Sequence, residues 1–517
     1  MKKKMRDILT FPFKIIFSRF LIALCSLLIQ IAVILVIFFF FEKYVIYFIG
    51  GIGVLDLILI IYLINKNINS EFKTAWIIFI LLLPPFGALF YLFCQSEIDV
   101  IAIKKRLALR KEENRKYLLQ NMEVLEELKE INLSEFYQAN YLNKVGHFPI
   151  SKASILEYFP LGDDFYPDLL AKLREAKDFI FIEIFILAPG KMWNNILEIL
   201  KEKAKEGVEV RILYDGTCSL TLLKRTYPEE LKSLGIKCLV FSPIVPIIST
   251  AYNNRDHRKI FIIDGKYGYT GGANIADEYI NQLERFGHWK DTMLRFSGDV
   301  VNNFTVLFLE MWNLISKKDL ENYDNYLVKN NKANDEGFII GFGDDPLDNE
   351  QVGKQTYLHI LKAAQKKVDI IMPYFIVDGE FLDELLHTAK KGIQVRLILP
   401  GIPDKKLVNY VAKTFYKDIL DAGILLYEYK KGFTHAKMMI GDDDKAIIGT
   451  INLDYRSLYL HYEDGVYLYK AEVIKAMVDD YEKTILMCQQ ITDKEFKKYS
   501  KIKLLIGKVL RLFGPLL

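Results

Sequence analysis

NRDHRKIFIIDG (Asn254–Gly265) and THAKMMIGD (Thr434–Asp442) are two copies of one pattern, His-x-Lys-x-x-x-x-Asp. In each copy a Gly-x-x-Asn begins seven residues after the Asp, at Gly271 to Asn274 and at Gly449 to Asn452. On an extended strand, side chains two apart share a face, so His257 projects with Lys259 and His435 with Lys437. Each strand then offers one acid-base group and one fixed positive charge. Asp264 and Asp442 have the other parity and stand beside Gly265 and Gly441, so within the motif set they are expected to close a turn or order the motif.

The two copies sit inside longer repeats. LREAKDFIFIEIF (Leu173–Phe185) is echoed by LKAAQKKVDIIMPYF (Leu361–Phe375), each a helix running into a buried strand. KEGVEVRIL (Lys205–Leu213) is echoed by KKGIQVRLI (Lys390–Ile398), a helix end with Gly at its C-cap and then another strand. Copies lie 178 to 190 residues apart, too far for a solenoid and right for a duplicated domain. Alternating apolar strands and amphipathic helices make the fold class α/β. Because each motif alone has one acid-base group, the two domains are expected to form one bilobal unit with a single site. The expected division is a membrane domain at 1–95, a basic helical linker at 96–149, α/β domains at 150–316 and 337–495, a polar linker at 317–336, and an amphipathic segment at 496–517.

A phosphodiester is anionic and resists attack, so cleaving it without a metal takes a nucleophile, cations for the non-bridging oxygens, and an acid for the leaving alkoxide. Two His, two Lys and the amides of Asn274 and Asn452 supply that set, and no zinc-type spacing or acidic cluster suggests a metal or other cofactor. An imidazole attacks well when its far nitrogen is held by a carboxylate. Glu463, 28 residues past His435, and Asp291, 34 past His257, are the candidates for that role. His147, His288, His359, His387 and His461 lack a Lys two residues on and read as surface or satisfied core residues.

Lys plus Arg (68) nearly balance Asp plus Glu (65), which gives no reason to expect nucleic acid as a partner; 51% hydrophobic content and 35 Phe fit lipid better. The five cysteines (Cys25, Cys94, Cys218, Cys238, Cys488) are scattered and read as reduced and structural. Three apolar runs, at 20–41, 44–64 and 76–94, are each long enough to cross a hydrocarbon core of about 30 Å. Basic residues flank the first run (Lys2 to Arg19) and follow the third (Lys104 to Lys111), and three full crossings cannot put both clusters on the cytoplasmic side. Either one run fails to cross fully, the candidates being the Pro84-Pro85 run and the Gly-rich run bearing Asp56, or one of the charge clusters does not mark the cytoplasmic side. The catalytic part, next to the second cluster, is expected in the cytoplasm. The basic, apolar end at Lys497 to Leu517 reads as an interfacial helix or as one packed on the domain.

These features resemble the phospholipase D superfamily and, within it, the bacterial cardiolipin synthases. The likeness is carried by both motifs, by Thr270-Gly271-Gly272-Ala273-Asn274-Ile275, by Pro373-Tyr374-Phe375, by Asn452-Leu453-Asp454-Tyr455-Arg456-Ser457, and by the Ala75-Trp76 to Gly87 run. It implies N-terminal membrane helices followed by two phospholipase D-type α/β domains, with His257, Lys259, Asp264, His435, Lys437 and Asp442 as the catalytic motif set. It also implies transfer of a phosphatidyl group between two phosphatidylglycerol molecules, with the first-half His taking the phosphoryl group. Residue chemistry alone leaves open which His attacks and whether water or a lipid alcohol accepts, as in a hydrolytic phospholipase D. Gly272 departs from the resemblance, which has Ser there in many members.

Overall fold

FIFIEI (Phe179–Ile184) and KVDII (Lys367–Ile371), the buried strands of the two repeats, occupy equivalent places in two mixed sheets. A computed structural model describes residues 45–94, 98–243, 253–316, 322–328, 337–348 and 350–516, with Leu28 and Ala32 besides. In the first sheet the strands run Glu157–Phe159, Met293–Phe296, Tyr267–Gly271, Lys259–Ile263, Phe179–Ile184, Glu209–Asp215 and Lys237–Phe241. The second repeats that order as Phe338–Asp344, His461–Tyr469, Lys445–Gly449, Met438–Gly441, Lys367–Ile371, Gln394–Pro400 and Leu425–Tyr429. Ser151–Lys152 and Cys488–Ile491 lie at its two edges. In both sheets the last three strands named are parallel, and the motif strand pairs antiparallel with the first of them.

Helices cover the sheets because their apolar residues recur at helical spacing. Met192, Trp193, Ile196, Ile199 and Leu200 bury one face of Lys191–Lys205. In the second repeat Phe381, Leu382 and Leu385 do so for Gly379–Lys390, whose first turn is capped by Asp378 accepting from the Phe381 amide. The helix Val300–Ser316 is buried all round from Phe304 to Leu314; its few polar side chains are paired, Glu310 accepting from Asn114 and Asn313 donating to Tyr323, each at 3.0 Å. It packs on strands of both sheets, with Phe308 stacked on Phe181 at 4.6 Å and Phe304 beneath Gly341, where a Cβ would fall 2.5 Å from the ring. Each such side chain contributes about 1.5–3 kcal/mol by leaving water, so this helix holds the two halves together.

Two compact units are distinguished and are described separately. The catalytic unit comprises Ile103–Pro243 and Asn253–Arg511, so both repeats belong to one body. Part of the expected linker is docked on it: the Tyr323 hydroxyl accepts from Asn313 at 3.0 Å, and Tyr326 donates to Glu209 at 3.0 Å.

The N-terminal unit contains helices Val45–Asn65, Ser70–Leu82 and Phe86–Cys94. Leu59, Leu63, Trp76, Ile80, Ala88 and Tyr91 form its core, while Val54, Leu57, Ile58 and Ile61 face outward and exposed. The run expected at 76–94 is not one helix. It breaks at 83–85, since Pro84 and Pro85 lack amide donors and their rings clash with the preceding turn. At about 1.5 Å per residue the pieces of 13 and 9 residues extend about 20 and 14 Å, short of a crossing. Among the described residues no helix is long and apolar enough to cross a membrane. The run at 20–41 lies outside them apart from Leu28 and Ala32, and the run at 44–64 is described with its side chains only from Gly50 on.

Candidate active site

The strand leading into each motif leaves its own half. Gly432–Thr434 pairs in parallel with His288–Lys290 of the first half, and the His435 amide donates to the Lys290 carbonyl at 2.7 Å. In the mirror arrangement Arg255–Asp256 pairs with the start of His461–Tyr469, and the His257 amide donates to the Tyr462 carbonyl at 2.9 Å. Each histidine is thus anchored by backbone of the opposite repeat.

The carboxylates follow the same exchange. Nδ1 of His257 lies 2.8 Å from Oε2 of Glu463, and Nδ1 of His435 lies 2.7 Å from Oδ2 of Asp291. Both expected orienting acids are therefore at the site, each serving the histidine of the other half. Lys259 and Lys437 point in beside them: the Lys259 ammonium donates to the His257 carbonyl at 2.6 Å, and Lys437 lies 2.8 and 3.0 Å from the two ring nitrogens of His435. His257 Nε2 carries no hydrogen bond among the described residues.

The other motif residues have different places. Asp264 accepts from the amides of Lys177, Asp178 and Phe179 at 2.8–2.9 Å. Asp442 accepts from those of Gln365, Lys366 and Lys367 at 2.7–3.1 Å. Both adopt a left-handed backbone, φ 53° and 52°, at the far end of the motif strand from the lysine. They fasten the motif strand to the next one and do not enter the site. Asn274 spends its amide locally, its Oδ1 accepting from the Ile186 amide at 2.9 Å and its Nδ2 donating to Tyr279 at 2.7 Å. Asn452 donates to Ser457 at 3.1 Å, and its Oδ1 is buried without a partner. At Gly272 a Cβ would fall 1.9 Å from Asp291 Oδ1, so the volume a serine would need is filled here by the carboxylate that holds His435.

Several further residues stand beside the site. Thr450 donates to Glu463 Oε2 at 2.6 Å, Asp464 accepts from the Lys259 amide at 3.1 Å, and Arg258 bridges Glu183 at 2.6 Å and Asp256 at 3.1 Å. A lone Glu183 in the apolar run FIFIEI was the one visible signal, since an unpaired carboxylate does not stay buried in a strand. His461, read as a surface or core residue, instead places Nδ1 3.3 Å from Glu463 Oε1. Donor atoms of His257, His461 and Glu463 lie within 4.8 Å of one another, the one grouping among the described residues that could share an ion; here Glu463 Oε2 is hydrogen bonded to His257, and its Oε1 faces His461 without a hydrogen bond. His288 meets Tyr429 at 3.0 Å and His359 meets Glu135 at 3.2 Å, satisfied as expected.

Burial dominates the electrostatics. It pushes both histidines well below their ordinary value; for His435 the Lys437 and Lys259 charges push the same way, while Glu463 partly opposes the shift at His257. Burial also brings Lys259 down to about 8 and Lys437 to about 7. The two carboxylates diverge. Burial raises Asp291 to about 7. Burial acts on Glu463 too, but the adjacent His257 and His461 rings overcome it and hold Glu463 well below the usual carboxylate range. The arrangement therefore offers two neutral imidazoles between two poised cations, one backed by a firmly ionised carboxylate and the other by one that can carry a proton.

A family profile described as "Cardiolipin synthase, PLD-like domain" matches residues 169–312 and 357–485. The chain belongs to the phospholipase D-like cardiolipin synthase family. A second profile, "Phospholipase_D-nuclease N-terminal", matches 54–94. The chain is 41% identical over 459 residues to an uncharacterized protein of Streptococcus mutans, covering 89% of this chain and 99% of the relative. It is 33% identical over 459 residues to a cardiolipin synthase of Alkalihalophilus pseudofirmus, covering 87% and 90%. The crystal structure of a phosphatidylserine synthase from Haemophilus influenzae shares the fold at TM-score 0.57 and 15% identity, over 74% of this chain and 98% of that one. As a member of this family the chain is a cardiolipin synthase-like phosphatidyltransferase.

Proposed function

We propose that the enzyme moves a phosphatidyl group from one phosphatidylglycerol to the hydroxyl of a second, releasing glycerol and forming cardiolipin. What supports this most is the crosswise pairing, which leaves two imidazoles held at Nδ1 in one site with different carboxylates behind them. His257 Nε2 attacks phosphorus and the bond to the glycerol oxygen breaks. Glu463 keeps the proton on Nδ1 of that ring and stabilises the positive charge the ring acquires. The pair of His435 and Asp291 carries one more proton than the pair opposite, and His435 gives it to the departing glycerol. In the second half-reaction His435 takes the proton from the hydroxyl of the second phosphatidylglycerol, whose oxygen attacks phosphorus as the bond to His257 breaks. Lys259 and Lys437 neutralise the non-bridging oxygens; an incoming phosphate restores their full charge.

The same reading gives the membrane arrangement. The 76–94 run, broken into two short helices, is the one that does not cross, which leaves the runs at 20–41 and 44–64 as the apolar stretches of crossing length in the sequence. Two crossings place both basic clusters and the catalytic unit on the cytoplasmic side, which removes the conflict left by three. The outward apolar face of Val45–Asn65 suits contact with lipid.

Purified enzyme given phosphatidylglycerol alone is the test. Cardiolipin and free glycerol in equal amounts are expected; phosphatidic acid as the main product would make the enzyme a hydrolase on the same site.

A further inference from the structure

The helix Lys501–Arg511 is amphipathic in the reverse sense. Ile502, Leu505, Ile506 and Val509 recur at helical spacing and form one apolar stripe. A stripe of that kind ordinarily faces a core, yet these side chains are 72%, 63%, 41% and 52% exposed. On the side turned to the domain Gly507 lies against the Tyr410 carbonyl, where a Cβ would come within 2.1 Å, with Leu504 and Leu510 half-buried beside it and the Arg511 guanidinium over the Phe415 ring at 3.8 Å. That close backbone approach fixes the helix so that its stripe points outward. Leu407, on the helix Lys406–Ala412 against which it packs, and Ile402 just before that helix are exposed as well.

The charges around the stripe select its partner. Lys501, Lys503 and Lys508 are exposed beside it, and residues 497–511 hold six basic side chains and no acidic one. A second copy of this surface would be repelled. A flat apolar stripe bordered by lysines fits instead the interface of a bilayer rich in anionic lipid, with the apolar side chains at the acyl boundary and the lysines at the headgroups.

We propose that Lys501–Arg511, with Leu407 and Ile402, is a docking surface that lays the catalytic unit flat on an anionic membrane. It is separate from the site and does not depend on which alcohol accepts the phosphatidyl group. Pro403, Asp404 and Lys405, which precede the Lys406–Ala412 helix, line a cavity with Tyr374 and Phe433, and Phe433 packs on His435 at 5.8 Å between ring centres. Docking there brings the His435 side of the site to the lipid surface.

The test is a full-length enzyme carrying an environment-sensitive fluorescent amino acid in place of Leu505, with the same probe in place of the exposed Leu486 as a control. Both are reconstituted into vesicles of phosphatidylcholine with or without phosphatidylglycerol, and both are also measured in detergent. In anionic vesicles the 505 probe should shift to the blue and lose about half its intensity or more to lipid carrying a shallow spin label. The 486 probe should not respond. Adding salt to about 1 M, which shortens the screening length to about 3 Å, should weaken the response. A 505 probe as open to iodide as the 486 probe in anionic vesicles would overturn the proposal. So would a shift that needs no vesicles and grows with protein concentration, which would mean a second copy covers the stripe.

Discussion

Glu463, on the strand His461–Tyr469 of the second repeat, holds Nδ1 of His257 in the first repeat at 2.8 Å. Asp291 returns the arrangement to His435 at 2.7 Å. Neither repeat contains a histidine together with the acid that holds it, so each imidazole–carboxylate pair exists only when the halves are joined.

Glu463→Gln and Asp291→Asn should each lower kcat by on the order of 10³-fold, because an imidazole in the wrong tautomer loses its reactive lone pair or its proton. Steady-state turnover of phosphatidylglycerol measures this, with circular dichroism to confirm folding. A loss below about tenfold in a folded variant would remove the orienting role.

His435→Ala should still accept a phosphatidyl group from a p-nitrophenyl phosphodiester, whose leaving group needs little protonation, and hold it on His257. His257→Ala should form no adduct. Rapid quench followed by mass spectrometry reads the position; an adduct on His435 in the His257→Ala protein would exchange the two roles.

The pH profile follows from the shifted groups. Lys437 and Lys259, at about 7 and 8, lose their charge as pH rises, and Asp291 gives up its proton near 7. All three changes weaken phosphate binding or acid catalysis, so kcat/KM should fall above about pH 7 to 8. On the acid side both histidines stay neutral well below their ordinary value and Glu463 stays ionised. No acid limb is therefore expected near the ordinary histidine value. A limb centred near 6.5 would show a histidine titrating as if exposed.

Asp264→Ala and Asp442→Ala should act on stability. Each removes a carboxylate that accepts three backbone amides, a loss of about 2–4 kcal/mol, while kcat of the folded protein should change less than about threefold. Denaturant unfolding and turnover at low temperature separate the two effects. Burial would raise the Asp442 carboxyl, but the Gln365, Lys366 and Lys367 amides bring it below its ordinary value. Its contribution is thus fully present above about pH 3.9, the unfolded value, and is lost as pH falls through the lower folded one. A hundredfold drop in kcat at unchanged stability would return these residues to the catalytic step.

The sequence by itself determined the duplication, the sheet class and the motif side chains that meet at the candidate site. Periodicity two places His257 with Lys259 and His435 with Lys437 on one strand face, and the parity of Asp264 and Asp442 turns them to structural work; these are local relations that spacing along the chain records. Pro84-Pro85 likewise marks the break between Ser70–Leu82 and Phe86–Cys94. Tertiary structure decided which acid holds which histidine, because the pairs His257–Glu463 and His435–Asp291 span 206 and 144 residues and arise from strand pairing between halves. It decided that Glu463 is firmly ionised while Asp291 sits near 7, since that difference comes from His461 and from burial on every side. It also decided that the stripe from Ile502 to Val509 faces outward. A helical pattern in sequence shows that a face exists, and only the contact of Gly507 with Tyr410 fixes where that face points.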